Sequence, residues 1–226
     1  MSTFLSRSGG LALRGIMAAI LLVRRPRPIH AHGAIFDGRL VMRSDPGSGI
    51  RGIDDPPAAD VPVVVRVSRS VGLPPWMPDV YGLGMRWAQG GEEIDLQLAS
   101  TGIGVPGRFL LLPRLTPTRA TLSSVVPYRT ARGPVMLCAR TVPSRRLPGG
   151  FAELRRAVDS EPWTLRLYFA SPGGRWHPFA DVRLDSARAE DDAALRFDID
   201  RRPLPGADTY PSVRALRGPS YRLTQG

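Results

Sequence analysis

The sequence predicts a mainly β protein with few helices, folded as an antiparallel barrel or a sandwich. Apolar, strand-like runs recur about every eight to twelve residues along the chain, a spacing typical of all-β folds. Proline and glycine are frequent, at 23 and 24 residues, and both are spread along the chain. That distribution suits short strands and turns better than long helices. A length of 226 residues without an internal repeat predicts one domain spanning residues 1–226.

Residues 1–25 are predicted to form an N-terminal extension or a short helix. The apolar run at residues 15–23 is too short to span a bilayer. Arg24 and Arg25 follow this run, where small residues would mark the cleavage site of a signal peptide. We therefore expect a cytoplasmic protein with no membrane span.

The first half of the chain contains several strand patterns. "GAIFDGRLVM" (33–42) has strand composition around a turn-prone Asp-Gly pair. Residues 43–60 are rich in Gly, Pro and Asp, as in a loop. "LGMRWAQGGEEIDLQLAS" (83–100) is typical of two strands joined by a Gln-Gly-Gly turn.

The segment "VPVVVRVSRS" (61–70) gives the strongest strand pattern of the chain. Its valines at positions 63, 65 and 67 alternate with Val64, Arg66 and Ser68. Because successive side chains of a strand point to opposite faces, this alternation predicts an apolar face and a second face that carries Arg66 and Ser68.

The second half of the chain adds strands and helices. "RFLLLPRL" (108–115) and "GPVMLCARTV" (133–142) are predicted strands. "GGFAELRRAVDSE" (149–161) is a predicted helix, since its apolar residues share one face. "WTLRLYFASPGGRWHPFADVRLD" (163–185) predicts a hairpin around Pro-Gly-Gly, and residues 212–217 predict a short C-terminal helix.

Charge and composition restrict the partners. The formal net charge is +11, all 31 basic residues are arginine, and the chain contains neither Lys nor Asn, a bias typical of a GC-rich genome. A basic protein favours anionic partners such as phosphates and carboxylates. We expect no nucleic-acid partner, because the arginines are dispersed and the four tryptophans do not interleave with basic clusters.

Two sequence patterns that often mark a functional site do not predict one here. Cys138 is the single cysteine, which excludes an intrachain disulfide and a multi-cysteine zinc site; its apolar run predicts a buried, inert thiol. "GIGVPG" (102–107) matches the glycine pattern of dinucleotide-binding loops. No helix pattern follows it and no acidic residue lies about twenty positions later, so we expect a β-turn.

His30 and His32 form an H-x-H pair in "RPIHAHGAIF". On a strand the two side chains would share a face and could bind one metal ion, with a carboxylate such as Asp79 or Asp95 completing the site. A metal-dependent hydrolase, for example a phosphodiesterase, is therefore one hypothesis. The third histidine, His177, is flanked by turn residues, and no known metal motif joins the three.

Three separated segments resemble haem catalases, in the same order along the chain. "RPIHAHGAIFDGRLVM" is similar to the R-x-x-H-A-x-G-A segment that opens the catalase barrel. "VVVRVSRS", with the residues that follow to position 100, is similar to the next V-R-F-S … G-x-x-D-L block. "RFDIDRRPLPGADTYPSVRALRGPSY" resembles the segment that ends in the axial ligand. The resemblance implies a catalase-like closed antiparallel β-barrel that binds haem b.

The resemblance assigns roles to a distal histidine, to the serine beside it and to two arginines that bind the haem propionates. His30 matches the distal histidine, which takes a proton from a bound peroxide and returns it to the leaving oxygen. Ser68 matches the serine that fixes the histidine ring. Arg27 and Arg66 match arginines that pair with the haem propionates through charge-assisted hydrogen bonds.

On the proximal side, the resemblance makes Tyr221 the axial ligand to the haem iron, as a phenolate. Arg217 lies one helical turn earlier in the sequence. Its guanidinium favours the ionised form of the phenol, because an opposite charge stabilises the phenolate.

The chain departs from the catalase pattern at the distal asparagine. Its position, four residues after Asp95, is occupied by Ala99, and no asparagine exists elsewhere in the chain. We therefore expect a peroxidase-like oxidoreductase rather than a fast catalase. His32 stands where catalases have lysine, and the resemblance gives it no catalytic role.

The expected substrates are a peroxide or a small organic molecule, and self-association into a homo-oligomer is left open. The third hypothesis, beside the haem protein and the metal-dependent hydrolase, is a non-catalytic barrel that binds an apolar ligand.

Overall fold

The fold is known from a computed structural model, which describes residues 33–44, 46–188, 195–211 and 213. The predicted N-terminal extension and, apart from Val213, the predicted C-terminal helix lie outside these residues. The described part contains nine strands: β1 Gly33–Met42, β2 Val61–Arg69, β3 Tyr81–Gln89, β4 Glu92–Thr101, β5 Thr121–Ser123, β6 Tyr128–Thr130, β7 Gly133–Thr141, β8 Trp163–Ala170 and β9 His177–Ala187. The helices are α1 Arg51–Asp54 and α2 Phe151–Ser160.

Eight of these strands form a closed antiparallel barrel. The strand order is β5-β4-β3-β2-β1-β9-β8-β7, and a pairing between β5 and β7 closes the sheet. The short strand β6 pairs with β7 at the margin of the barrel. Closure leaves each barrel strand with two neighbours and removes the open edges that an unclosed sheet would have. The predicted fold class is confirmed.

The interior of the barrel is apolar because the strand alternation is regular. On β2, the valines at positions 63, 65 and 67 pair with Trp87, Met85 and Leu83 of β3. All six side chains are at most 4% exposed and belong to the main hydrophobic core. The alternation predicted for β2 is therefore confirmed, and its other face, with Arg66 and Ser68, points out of the barrel.

Several local predictions are confirmed. Gly90 and Gly91, both in the left-handed region at φ 63° and 84°, form the turn between β3 and β4, as a type I′ hairpin requires. Helix α2 has the predicted apolar face, with Leu154 and Val158 fully buried, and packs against β9 and β1. The hairpin of β8 and β9 lies at its predicted position.

The predicted strand at residues 108–115 is wrong. Gly107–Phe109 form one turn of 3₁₀ helix, and beyond it only isolated bridges occur, such as the one between Thr101 and Leu111. The segment runs beside the end of β4 instead, where the N–H of Leu112 donates to the carbonyl oxygen of Ser100. Arg108 is buried and donates to the carbonyl oxygens of Ser171 and Gly174.

The predicted loop at residues 43–60 contains the short helix α1. The Asp54 carboxylate accepts hydrogen bonds from the backbone N–H groups of Ser48 and Gly49, each at 2.7 Å. Ile50 and Ile53 are buried beside it. A carboxylate that satisfies two backbone donors lets this glycine-rich segment close on itself over two apolar anchors.

The "GIGVPG" segment is a turn, as predicted: the N–H of Gly102 donates to the carbonyl oxygen of Gly107 at 2.9 Å.

Within the part of the chain that the structure describes, no helix is both long and apolar enough to cross a membrane.

The turn-prone Asp37-Gly38 pair lies inside β1 and forms no turn; it faces a bulge of β9, since Asp37 pairs with Ser186 and Gly38 with Leu184, which leaves Asp185 as the extra residue. The register between β1 and β9 shifts at this point. A Cβ atom on Gly38 would collide with the carbonyl oxygen of Arg183 on β9. The close approach of β9 to β1 beside this bulge therefore depends on glycine at position 38, because any side chain there would meet the Arg183 carbonyl.

Replacing Gly38 by alanine should destabilise the barrel. We expect the Gly38→Ala variant to lose about 2 kcal/mol or more of unfolding free energy, since a backbone carbonyl must move to admit the methyl group. Gly173→Ala is the matched control, because no atom lies within 4 Å of the Cβ position at Gly173. Urea unfolding measures both variants, and equal midpoints would contradict the role of Gly38.

Candidate functional site

The outer face of β1–β4 carries two rows of cross-strand neighbours, and it is the candidate functional site. The first row pairs Gly33 with Ser68, Ser68 with Gly82, and Gly82 with Ala99. Directly opposed residues in antiparallel strands share a face, so these four positions lie side by side across four strands. We call them the serine row.

The second row lies next to the serine row on the same face. It pairs Ile35 with Arg66, Arg66 with Gly84, and Gly84 with Gln97. We call these four positions the arginine row. Arg66 and Ser68 are two positions apart on β2 and therefore about 7 Å apart along the strand. The structure thus brings together the two predicted site residues that it describes.

The side chains of the two rows are mostly apolar or absent, with a single cation among them. The rows contain one guanidinium, that of Arg66, and no carboxylate. Ile35 is only 1% exposed, yet it does not belong to the main core of the barrel. Gly82 and Gly84 have no side chain above the sheet, and the Phe197 ring lies against the backbone at Gly84.

Ser68 is buried, and its hydroxyl donates to the carbonyl oxygen of Gly82 at 3.5 Å, a long hydrogen bond. Ala99 lies beyond Gly82 in the same row, so the Cα atoms of Ser68 and Ala99 are about 10 Å apart, or two strand spacings. The side chain at this end of the serine row is a methyl group, which can neither donate nor accept a hydrogen bond. The row therefore offers one hydroxyl and no amide.

Phe197 covers the arginine row at Gly84, and the sequence analysis did not identify it as a site residue. A Cβ atom on Gly84 would lie 2.6 Å from the Phe197 ring. The Gln97 side chain donates to the carbonyl oxygen of Phe197 at 2.8 Å, and the Arg86 guanidinium stacks 5.3 Å from the ring centroid. The outward-facing glycines of β3 were the one sequence signal for such a close approach.

Asp95 anchors this covering segment and is not free to bind a metal ion. The carboxylate is buried and accepts two hydrogen bonds from Arg86, at 2.6 and 2.8 Å, and one from the N–H of Asp198 at 2.6 Å. The hydrogen bond to Asp95 raises the pKa of the Arg86 guanidinium, although burial opposes it. The contacts of Asp95 give it a structural role.

Asp79 is also fully used by the fold. Its buried carboxylate accepts hydrogen bonds from the backbone N–H groups of residues 71, 72, 73 and 80, at 2.7 to 3.2 Å, and lies 3.6 Å from the Arg69 guanidinium. Among the described residues, no group of three or more His, Cys, Asp or Glu side chains could hold a metal ion. His177 is exposed and stacks on Phe169.

The other predicted site residues are His30, Arg27, Arg217 and Tyr221, and all of them lie outside the described residues, as does His32. His30 is three residues before Gly33, the partner of Ser68 in the serine row. Chain connectivity alone limits the distance between the Cα atoms of His30 and Gly33 to about 11 Å. The chain enters β1 at the end of the face where Ser68 lies.

Cys138 has the environment predicted for an inert thiol. It is 1% exposed and pairs with Ser123 of β5 and Tyr168 of β8. Burial raises the pKa of the thiol to about 12, even though Arg140 and Arg108 act in the opposite direction. The thiol is therefore neutral at physiological pH and is a poor nucleophile and metal ligand.

The barrel is similar to the fold of solved catalases. It matches a fungal catalase with a TM-score of 0.65 at 13% identity, over 91% of this chain and 59% of that protein. Catalase A from Saccharomyces cerevisiae matches with a TM-score of 0.66 at 11% identity, over 93% of this chain and 63% of the yeast protein. A bacterial catalase matches with a TM-score of 0.58 at 15% identity, over 93% of this chain and 59% of that protein.

These comparisons define a catalase-like fold. The chain spans 59 to 63% of the length of the three catalases. No protein-family model and no curated protein matches the sequence.

Proposed function

We propose that this chain binds haem b against the outer face of β1–β4 and reacts slowly with peroxides, as a peroxidase. The observation that carries the proposal is the strand register that places Arg66 and Ser68 on one face, beside the entry of the chain into β1. The catalase-like fold and the order of the three catalase-like sequence segments support it. Bound ferric haem would supply the metal centre at which the O–O bond of a peroxide is cleaved.

Residues of this chain would bind the haem through its propionates, its ring and its iron. Arg66, and Arg27 from the preceding segment, pair with the propionates, because guanidinium and carboxylate form strong charge-assisted hydrogen bonds. Because Phe197 covers Gly84, Ile35 and Gly82 would provide the apolar surface for the ring. Tyr221 supplies an anionic oxygen to the iron, and Arg217 stabilises that phenolate by its positive charge.

His30 is the proton carrier of the proposed reaction. Its imidazole would act as general base and then general acid, taking a proton from the peroxide substrate and returning it to the leaving oxygen. Ser68 holds the imidazole in the orientation that this transfer needs. Ala99 offers no hydrogen bond to the peroxide, so the substrate is positioned by fewer contacts than in a site with an amide there.

The proposed substrates are hydrogen peroxide or an organic peroxide, with a small organic molecule as reductant. A single cytoplasmic domain is the form that we propose for the protein. Peroxidase chemistry, rather than rapid decomposition of hydrogen peroxide, follows from the methyl group at position 99.

Removing the axial phenol should remove or weaken haem binding. We expect the full chain, produced with haem supplied, to show the visible spectrum of a ferric haem with a tyrosinate ligand. Tyr221→Phe should retain about a tenth or less of that haem, because the variant lacks the anionic oxygen. The test measures haem per folded chain by absorbance and circular dichroism.

Tyr210→Phe is the control for this experiment, since it changes a tyrosine of the same segment that has no proposed role. A folded chain without haem would overturn the proposal. In that case, metal analysis and a model phosphodiester assay would identify a metal-dependent hydrolase, and their failure would leave a non-catalytic barrel.

Replacing His30 should separate haem binding from peroxide chemistry. His30→Ala is expected to keep its haem and to lose about a hundredfold or more of its rate with peroxide, the usual contribution of a general base. His32→Ala should change the rate little. Stopped-flow absorbance measures both reactions. Similar losses in the two variants would reject the assignment of His30 and would favour a paired role for the two histidines.

Adding an amide to the serine row should accelerate the reaction with hydrogen peroxide. We expect Ala99→Asn to raise the rate by about tenfold or more, because a placed hydrogen-bond donor orients and polarises the substrate. Ala88→Asn adds the same group at an exposed position of β3 and should have no effect. A gain that persists in the Ala99→Asn, His30→Ala double variant would show that the amide acts without the proposed base.

A further inference from the structure

Three large apolar side chains are uncovered at the end of the barrel where β2 ends. Val71 and Trp76 lie in the loop between β2 and β3, and they are 69% and 76% exposed. Leu115, in the segment that leads to β5, is 53% exposed. We call these three residues the rim patch. Exposed apolar groups of this size are costly in water and often mark a contact surface.

The loop that carries Trp76 is firmly braced. The Asp79 carboxylate accepts hydrogen bonds from the backbone N–H groups of residues 71, 72 and 73. The Arg69 guanidinium donates to the carbonyl oxygens of Pro74 and Met77, at 3.2 and 2.6 Å. The buried Asp79 carboxylate and the buried Arg69 guanidinium therefore fix the conformation of the loop. Because Trp76 is held in its exposed position, little conformational entropy is lost on binding.

Neighbouring loops join this one at the same end. The Tyr81 hydroxyl donates to the carbonyl oxygens of Leu115 and Gly149, at 3.1 and 3.3 Å. A Cβ atom on Gly149 would lie 3.2 Å from the carbonyl oxygen of Pro75, next to Trp76. The segments 70–80, 113–120 and 142–150 thus form one continuous surface.

That surface is strongly basic. The stretches 69–80, 113–120 and 142–150 contain five arginines and one carboxylate, that of Asp79. Arg69 neutralises this carboxylate. Arg145 pairs with Glu161 at 3.4 Å, so Arg119 and Arg146 are the exposed arginines of this surface that form no ion pair with a described residue.

We propose that this end of the barrel lies on an anionic phospholipid membrane. Trp76, Val71 and Leu115 would enter the boundary between headgroups and acyl chains, where tryptophan is favoured because its ring is apolar and its N–H is polar. Arg119 and Arg146 would pair with the lipid phosphates. Insertion of apolar side chains combined with basic residues is the general pattern of peripheral membrane binding.

Other occupants fit the surface less well. Two copies of the chain in a two-fold dimer would bring the same arginines together and repel. Residues 1–32 of this chain contain five arginines and no acidic residue, so they carry the same charge as the surface. A protein partner needs an interface of roughly 1,000 Å² or more, which three side chains on loops do not provide.

The test is sedimentation of the full chain with vesicles, at low and high salt. We expect binding to vesicles of equal parts phosphatidylcholine and phosphatidylglycerol, weak binding to phosphatidylcholine alone, and loss of binding as salt rises. Trp76→Asp, and Arg119→Glu with Arg146→Glu, should each weaken binding by about tenfold or more.

Matched controls change the same residue types at the opposite end of the barrel. Val41→Asp replaces an apolar side chain that is 45% exposed, and Arg175→Glu reverses an exposed charge between β8 and β9. Both should bind like the unchanged chain. Equal binding of the rim variants and these controls would overturn the proposal, as would equal binding to neutral vesicles or no binding at all.

A second measurement does not depend on the acidic variant folding. Lipids brominated on their acyl chains should quench tryptophan emission of the bound protein. Trp76→Phe should keep most of the binding and lose most of the quenching. Unchanged quenching in Trp76→Phe would contradict insertion at this loop. Light scattering completes the test, because a dimer that Trp76→Asp dissociates, without vesicle binding, would assign the patch to a second copy.

Discussion

Burial of the three inward valines of β2 determines which residues face the candidate site. Each fully buried valine contributes about 1.5 to 3 kcal/mol. A shift of the register by one residue would expose all three valines and would turn Arg66 and Ser68 into the apolar interior of the barrel. The cost of that shift, several kcal/mol of lost burial plus a buried guanidinium, keeps the two polar side chains on the outer face.

The ion pair between Arg86 and Asp95 determines the charge next to the arginine row on this outer face. Asp95 lies one row away from Arg66, and an unpaired carboxylate there would repel any anionic ligand. The bidentate contact with Arg86 neutralises it, and the N–H of Asp198 occupies one of its oxygens as well. The same contacts hold Phe197 over Gly84. The ion pair between Arg86 and Asp95 therefore leaves no uncompensated negative charge at this position and also positions the segment that carries Phe197.

Local patterns predicted much of the fold, whereas contacts between distant segments did not follow from them. The strand alternation of β2, the Gly90-Gly91 turn and the apolar face of α2 depend on neighbouring residues, so the sequence was sufficient. The apolar run after Gly107 has strand composition, but buried Arg108 ties it to the loop between β8 and β9. Nothing within the run indicates that partner.

In the candidate site, too, some positions could be predicted from a local sequence pattern and others could not. Arg66 and Ser68 could be placed on one face from the alternation of β2 alone. Ala99 could be placed opposite them only through a resemblance, and the register then located it two strands away. The contact between Phe197 and Gly84 joins parts of the chain far apart in sequence, and a glycine on a strand signals a close approach without naming its partner.

The rim patch and the candidate site lie at the same end of the barrel. Ser68 is two residues from the start of the loop that carries Trp76, and Gly33, its partner, is where the preceding segment reaches the barrel. A membrane at this end would therefore lie close to the serine row. The two proposals nevertheless rest on different atoms, since Arg66 and Ser68 do not belong to the basic rim. Haem without vesicle binding, or vesicle binding without haem, would each reject one proposal and leave the other standing.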